Sequence, residues 1–193
     1  MRTVATMEYP FSDSGAKMAK QDFPLSGVYG LLETGPVVLI STRWKGRESI
    51  MAQSWHTMIE FDPPILACVI SESNYSFELL EKSGECAISI PTAEIGRQVA
   101  LCGNSSGRNA DKFETCAFTR EKASDVEAAL IGECYASLEC KVIDRVKQYQ
   151  LFIMEVTRAW VDPAVTEPRT LHHRGYGTFM VAGETVRLPS EMR

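Results

Sequence analysis

The chain lacks the motifs that most often announce a nucleotide fold or a hydrolytic centre. Gly27, Gly30 and Gly35 do not have GxGxxG spacing, and no GxxxxGK[ST] run occurs, which argues against a Rossmann or P-loop hold on a nucleotide. No GxSxG elbow is present, and nothing local marks a nucleophilic Cys–His pair. Histidine is scarce, with only His56, His172 and His173. The six cysteines at 68, 86, 102, 116, 134 and 140 form no CxxC or CxxH, so zinc ligands at the usual close spacing are not supported. The longest apolar run, Pro63–Ile70, is too short to span a bilayer. Basic charge is not in excess either: 20 Lys and Arg stand against 25 Asp and Glu, for a net charge of −5 and a pI of about 5.3. That balance disfavours a broad nucleic-acid face and adhesion to anionic membranes. The first 18 residues carry no apolar h-region, so no secretory leader is expected and a cytoplasmic location follows by elimination. Internal repeats and low-complexity tracts are absent.

What is present is an ordinary globular composition. With 193 residues and 45% hydrophobic side chains, folding would bury about 70% of the surface of the extended chain, enough for one core without staples. A single domain over 1–193 is expected, with residues 1–24 as a polar N-terminal arm broken by Pro10 and Pro24. The cysteines read as small buried hydrophobes.

Periodicity points to strands. Residues 36–42 (PVVLIST) form a β-branched apolar run, 44–48 (WKGRE) a turn, and 49–55 (SIMAQSW) the second arm of a hairpin. Residues 65–71, 86–90 and 151–156 are further strands. From Cys134 to Val142, apolar and polar residues alternate as in a half-buried strand. Helices are few and short: one capped near Ser73 or Asn74, one from Thr92 to about Cys102, and a turn or two near 125–131, where Ser124 and Glu127 have capping-box spacing. No βαβα alternation exists, so the fold class is mainly β, a barrel with a few short helices.

The informative stretch is Ser49–Ser76. Its strand end carries Gln53, Ser54, Trp55 and His56, polar groups beside aromatic surface, which suits a planar heteroaromatic ring. After the turn at Asp62–Pro64, a strand leads to Ser71 and then to Ser73, Asn74, Tyr75 and Ser76 at an expected helix start, a place for a phosphate. The polar loop 104–112 (NSSGRNADK) ends in Lys112, a cation for the same group. Each residue has a plainer reading: an interface tryptophan, ordinary caps, a surface lysine. The Arg43, Lys45 and Arg47 cluster reads either as a greeting site for a nicotinamide phosphate or as a solvated hairpin turn. The adjacent His172 and His173 read as exposed loop residues.

In order and spacing these segments resemble the flavin reductase-like, FMN-binding split-barrel family, nearest the flavoredoxin group. The resemblance rests on Ser49–Trp55, the FDPP turn (Phe61–Pro64), the strand plus SNYS (Ile65–Ser76), Ser106–Phe113, ASLEC (Ala136–Cys140) and LHHRGYGTFMVAG (Leu171–Gly183), across roughly residues 24–185. It implies a six-stranded split β-barrel of Greek-key type that binds FMN non-covalently, commonly as a homodimer. Ser49, Ala52, Gln53, Ser54, Trp55, His56, Ser71, Asn74, Tyr75, Ser76, Ser106, Lys112, Tyr149 and Phe179 would surround the flavin. Two positions depart from the family pattern: serine stands at 49 where asparagine is common, and Tyr149 stands where histidine is common. The implied activity is electron transfer from NAD(P)H through FMN to an acceptor, with no acid–base residue required for the hydride step. The alternatives are a flavoredoxin-like carrier served by a redox partner protein, and a non-enzymatic β-barrel ligand-binding module.

Overall fold

The computed structural model describes residues 35–186; the N-terminal arm expected over 1–24 lies outside them. The chain enters through Val38–Trp44 (β1) and returns through Arg47–Gln53 (β2), paired antiparallel from Trp44↔Arg47 to Val38↔Gln53. The turn is tighter than the five residues expected. Lys45 and Gly46 alone make it, at φ 49° and 78°, the pair of left-handed residues whose twist matches two right-twisted strands.

A second hairpin follows at once, His56–Phe61 (β3) with Pro64–Val69 (β4). After it come Glu85–Ile90 (β5), the short pair Arg120–Glu121 (β6) and Leu130–Ile131 (β7), the long hairpin Ala136–Val146 (β8) with Leu151–Val161 (β9), and the small hairpin Leu171–His173 (β10) with Phe179–Val181 (β11). The principal sheet is antiparallel throughout, in the order β2-β1-β5-β8-β9-β4-β3. Its two edge strands are joined by only Ser54 and Trp55, so the edges lie within about 11 Å of each other at that corner. A sheet whose two edges meet must curl, and this is the split barrel expected from the sequence. It counts seven strands rather than six because β3 pairs along the rim. That strand escaped sequence reading because Thr57 through Phe61 are exposed on both sides, so no alternation marks it.

Alternate residues of the central strands fill two clusters. Val38, Ile40, Leu66, Cys68, Cys86, Ile88, Cys140, Phe152 and Met154 form the inner one. It is plugged by Phe77 and Leu80 from the helix Tyr75–Ser83 (α1), with Phe77 edge-on to Phe152 at 5.4 Å. On the opposite face Val37, Leu39 and Ile50 pack with Val99 and Cys102 of the helix Gly96–Asn104 (α2) and Phe113 of the short helix Lys112–Thr115 (α3). Burial on both faces explains why residues 36–42 read as an unbroken apolar run. All six cysteines are unbridged.

The helix expected from Thr92 to about Cys102 is present as a 3₁₀ turn at Ala93–Ile95 that leads into α2 and runs one residue past Gly103. A different local expectation fails. Residues 125–131 form no helix, because their amides are drawn elsewhere. The Ser124 and Asp125 N–H groups donate to the Glu139 carboxylate, and the Glu127 N–H donates to Glu85 Oε1 at 2.6 Å. Tertiary acceptors outbid the local cap.

Glu139 also corrects the picture of β8 as half-solvated. It is fully buried and accepts from the Trp160 indole N–H at 2.7 Å as well. Burial pushes its carboxyl up, but the amides of Asp125 and Ser124 and the indole outweigh that and hold its pKa below the usual carboxylate value. Its contribution to stability is therefore present above the unfolded value near pH 4.3 and is lost as pH falls through the lower folded value. Glu139→Gln should cost about 1–3 kcal/mol in denaturant unfolding at neutral pH and flatten the acid limb of the stability curve. Unfolding midpoints for both proteins at pH 7 and pH 3 check both effects.

Candidate functional site

A cleft of about 460 Å³ opens where the start of β2, the first turn of α1 and the loop before α3 converge. Ser49 lies buried at its base, and Ser76 of α1 donates its hydroxyl to Ser49 Oγ at 3.2 Å. Gly107 passes directly over this pair: a Cβ there would sit 2.3 Å from Ser49 Oγ and 3.3 Å from the Tyr75 ring. Only glycine lets the loop come so close.

Charge is sorted unevenly around the cleft. On one side Glu78 receives three cations: Lys82 at 2.8 Å, Arg108 at 3.0 Å and Arg47 at 3.5 Å. The Lys82 hydrogen bond, joined by Arg108, holds the Glu78 carboxyl below its ordinary value against the opposing pull of burial. The Arg108 guanidinium also lies 4.8 Å from the Tyr75 ring centre. On the other side Arg120 stacks on Phe113 at 4.3 Å and pairs with Glu48 and Asp111. Burial raises the Asp111 carboxyl, but Arg120 and the helix amides prevail and lower it. Those amides are Phe113 and Glu114 N–H at 2.9 and 3.3 Å, so Asp111 already caps α3 and the short helix offers no free anion site.

Lys112 is different. It is 5% exposed, lines the cleft, and donates from Nζ to the Ser105 carbonyl at 3.0 Å. No ion-pair partner reaches it among the described residues. An ammonium taken out of water without a counter-charge is unfavourable, and Lys112 lines the cleft together with Gly107 and Ser49.

The rest of the expected set falls into two groups. Ser49, Tyr75, Ser76, Lys112 and the Ser106–Gly107 loop gather at the cleft, with the Ser106 hydroxyl accepting the Arg108 N–H at 3.3 Å. Gln53, Ser54, Trp55 and His56 form the corner between β2 and β3. Gln53 is buried and donates to the Trp55 carbonyl at 2.6 Å and the Val69 carbonyl at 3.3 Å, while its Oε1 is buried with no partner. His56 Nε2 bonds the Pro36 carbonyl at 2.7 Å, and the Trp55 ring is half-exposed. The Ser71 hydroxyl lies 2.9 Å from that of Ser73. Asn74 occupies the cap position of α1 with no side-chain capping bond. Ala52 packs against the outer cluster.

Tyr149 and Phe179 line no part of the cleft. Tyr149 is exposed in the turn before β9, beside Gln150, whose carbonyl and side chain accept from Ile70 and Glu72 N–H. Phe179 packs on His173 at 5.1 Å and on the outer cluster. Sequence reasoning missed Glu48 and Arg120 at the cleft, gave Arg108 no role of its own within the polar loop, and weighed Arg47 only as a greeting site for a nicotinamide phosphate or a solvated turn. Glu48 sits in a stretch that reads as a turn, and Arg120 arrives from a β-pair with no local signature.

The model of the flavin reductase-like domain matches residues 32–180. The chain belongs to that family. YddH of Escherichia coli K12, itself uncharacterized, is 33% identical over 172 residues, covering 81% of this chain and 91% of YddH. The FMN-binding domain of a flavin reductases-like enzyme from Shewanella baltica OS155 is 31% identical, superimposes with a TM-score of 0.76, and covers 86% of this chain and 96% of its own. Flavoredoxin of Desulfovibrio vulgaris (Miyazaki F) shares the fold, at a TM-score of 0.79 and 24% identity over 90% of this chain and 98% of its own.

The packing at Gly107 is directly testable in this flavin reductase-like chain. Gly107→Ala should lower thermal stability by about 1–3 kcal/mol, since a methyl is forced into the Ser49 hydroxyl. Gly103→Ala in α2, where a Cβ meets only the Ala52 methyl at 3.6 Å, should be neutral or gain up to about 1 kcal/mol. Paired melting curves test the contrast; equal effects would contradict the close approach.

Proposed function

We propose that the protein is an FMN-binding oxidoreductase that passes electrons from NAD(P)H to an acceptor. The observation that carries this reading is Lys112, a buried ammonium without a counter-charge at the head of a cleft with serine hydroxyls and a glycine loop. The FMN phosphate fits that charge, with Arg108 and Arg47 at the rim and Ser49 and Ser76 as hydroxyl partners. Toward the corner, the half-exposed Trp55 gives apolar surface to a flat ring. Gln53 Oε1, buried and unsatisfied, suits the imide N–H of a flavin. Ser54, His56, Ser71 and Asn74 belong to the same reading as further flavin contacts. A flavin held here supplies hydride acceptance from a reduced nicotinamide and onward electron transfer. The chain's own residues orient and bind it, which accords with the absence of a catalytic dyad. Support for FMN comes from the family and from the FMN-binding Shewanella domain.

A homodimer belongs to the same reading. Met58, Ile59 and Phe61 of the edge strand β3 are exposed, Phe61 by 88%. They continue from Trp55, so a second copy would cover the apolar strand and the ring end of the site together. The unbridged cysteines fit a reducing, cytoplasmic setting. Among the described residues no helix is long and apolar enough to cross a membrane.

Lys112→Ala should weaken FMN binding by tenfold or more, whereas Lys45→Ala at the solvated hairpin should leave it within about twofold. Equal retention of flavin by both variants after desalting would overturn the phosphate assignment. Anaerobic addition of NAD(P)H to the flavin-loaded protein should bleach the flavin stoichiometrically; bleaching only with a reduced protein donor would establish the carrier reading instead. Light scattering of the loaded protein should give twice the chain mass.

A further inference from the structure

Glu78 stands in the first turn of α1, behind the cleft rather than in its lining, yet two of its partners, Arg47 and Arg108, do line it. Both carboxylate oxygens are occupied. Oε2 takes Arg108 at 3.0 Å, and Oε1 takes Lys82 at 2.8 Å and Arg47 at 3.5 Å. Lys82 is an ordinary helix partner at i,i+4 spacing. The two arginines are drawn in from elsewhere, Arg47 from the start of β2 and Arg108 from the loop before α3.

Neither arginine depends on Glu78 for its place. The Arg108 guanidinium also lies against the Tyr75 ring, 4.8 Å from its centre, and the Arg108 N–H donates to the Ser106 hydroxyl at 3.3 Å. The Arg47 backbone is fixed opposite Trp44 in the β1–β2 hairpin. Without Glu78 both positive charges stay at the cleft, and only the negative charge that offsets them is gone. The pairs are partly solvated, so they add little to stability, while the carboxylate subtracts from the field that the arginines project into the cleft.

Resting on the flavin reading above, we propose that Glu78 is a specificity-determining residue that keeps the phosphate end of the site weak. It competes with the FMN phosphate for Arg47 and Arg108, so FMN exchanges with solution instead of staying as a fixed group. Each arginine that turns to the phosphate gives up a carboxylate partner, whereas Lys112 has none to give up. Lys112 is thus the anchor, and the arginines add a hold that Glu78 limits. A flavin without a phosphate makes no such exchange and does not sense Glu78.

The test is fluorescence titration of the whole chain with FMN and with riboflavin, for the wild type, Glu78→Gln and Glu81→Gln. Glu81 lies on the same helix but pairs with Arg145, so it controls for loss of charge alone. Glu78→Gln should bind FMN about fivefold tighter than the wild type, as the release of two solvated ion pairs allows, with riboflavin within about twofold. The gain should vanish at about 0.5 M salt, where charges are screened within a few ångströms. Glu81→Gln should leave both ligands within about twofold. FMN affinity that is unchanged or weakened in Glu78→Gln overturns the proposal. So does an equal shift toward FMN and riboflavin, which makes the role of Glu78 structural, and so does an equal gain in Glu81→Gln. Glu78→Ala, which places the best helix former there, gives the same readings if the Gln variant does not fold. A wild type that binds FMN no tighter than riboflavin refutes the phosphate reading itself, and the proposal with it, before any variant is compared.

Discussion

Ser54 and Trp55 carry the chain from one edge of the principal sheet to the other, and the rest of the architecture follows from that short step. Two edge strands joined by two residues cannot lie in a flat seven-stranded sheet. The sheet has to curl, and the curl creates an inside for Phe152 and Met154 and an outside for α2 and α3. Gln53 secures the step. Its amide nitrogen reaches the Trp55 carbonyl within the corner and the Val69 carbonyl on β4, tying the last residue of β2 to the strand that flanks β3. The Val69 N–H returns the favour to the Trp55 carbonyl at 3.0 Å. One buried side chain thus replaces the ladder that a closed barrel would have at this seam, and its remaining oxygen is left for something else.

The electrostatics of the cleft show a consistent division of labour. Glu78 gathers Arg47, Lys82 and Arg108, while Glu48 and Asp111 take Arg120. These pairs are partly solvated, and each adds little to stability. Their value is positional, since they hold long, flexible cations around the rim without letting them fall onto the Lys112 ammonium or onto each other. Lys112 alone is held by a neutral carbonyl. The net result is a positive cleft whose deepest charge is also its least compensated, the arrangement that favours a multiply charged anion over a carboxylate bound at the surface.

Much of this was legible in the chain itself. The hairpin over 36–55 and the strand at 65–71 are legible as β-branched apolar runs, the first with a turn around Gly46, and the strands at 86–90 and 134–142 by alternation. Ser76 and Lys112 stand out because hydroxyls, a helix start and a lysine-ended glycine loop suit one phosphate, whereas Ser49 enters only through the family resemblance. What was not legible depended on partners distant in sequence. Residues 125–131 carry a good capping box, yet their amides turn to Glu139, fourteen or more residues on. Strand β3 shows no alternation because it has no buried side in a single chain. Arg120 carries no motif at all; it reaches the cleft because β6 pairs with β7.

Strand β2 gathers these strands of reasoning into one physical picture. Its hydrogen-bonding edge is spent on β1, so its opposite edge is the one along which a ligand can lie. Along that edge the environment changes in order: a buried amide and an exposed indole, then a buried hydroxyl pair roofed by a glycine, then Arg120 paired with Glu48 and Asp111. A long ligand with an aromatic head, a polar middle and an anionic tail matches that gradient in only one direction. Reversed, it would set phosphate charge against the apolar corner and leave Lys112 uncompensated, losing the charge pairing that most favours binding. On the proposed function, Lys112 would set the direction in which a flavin lies, and the corner at Trp55 would set which end of it meets a partner.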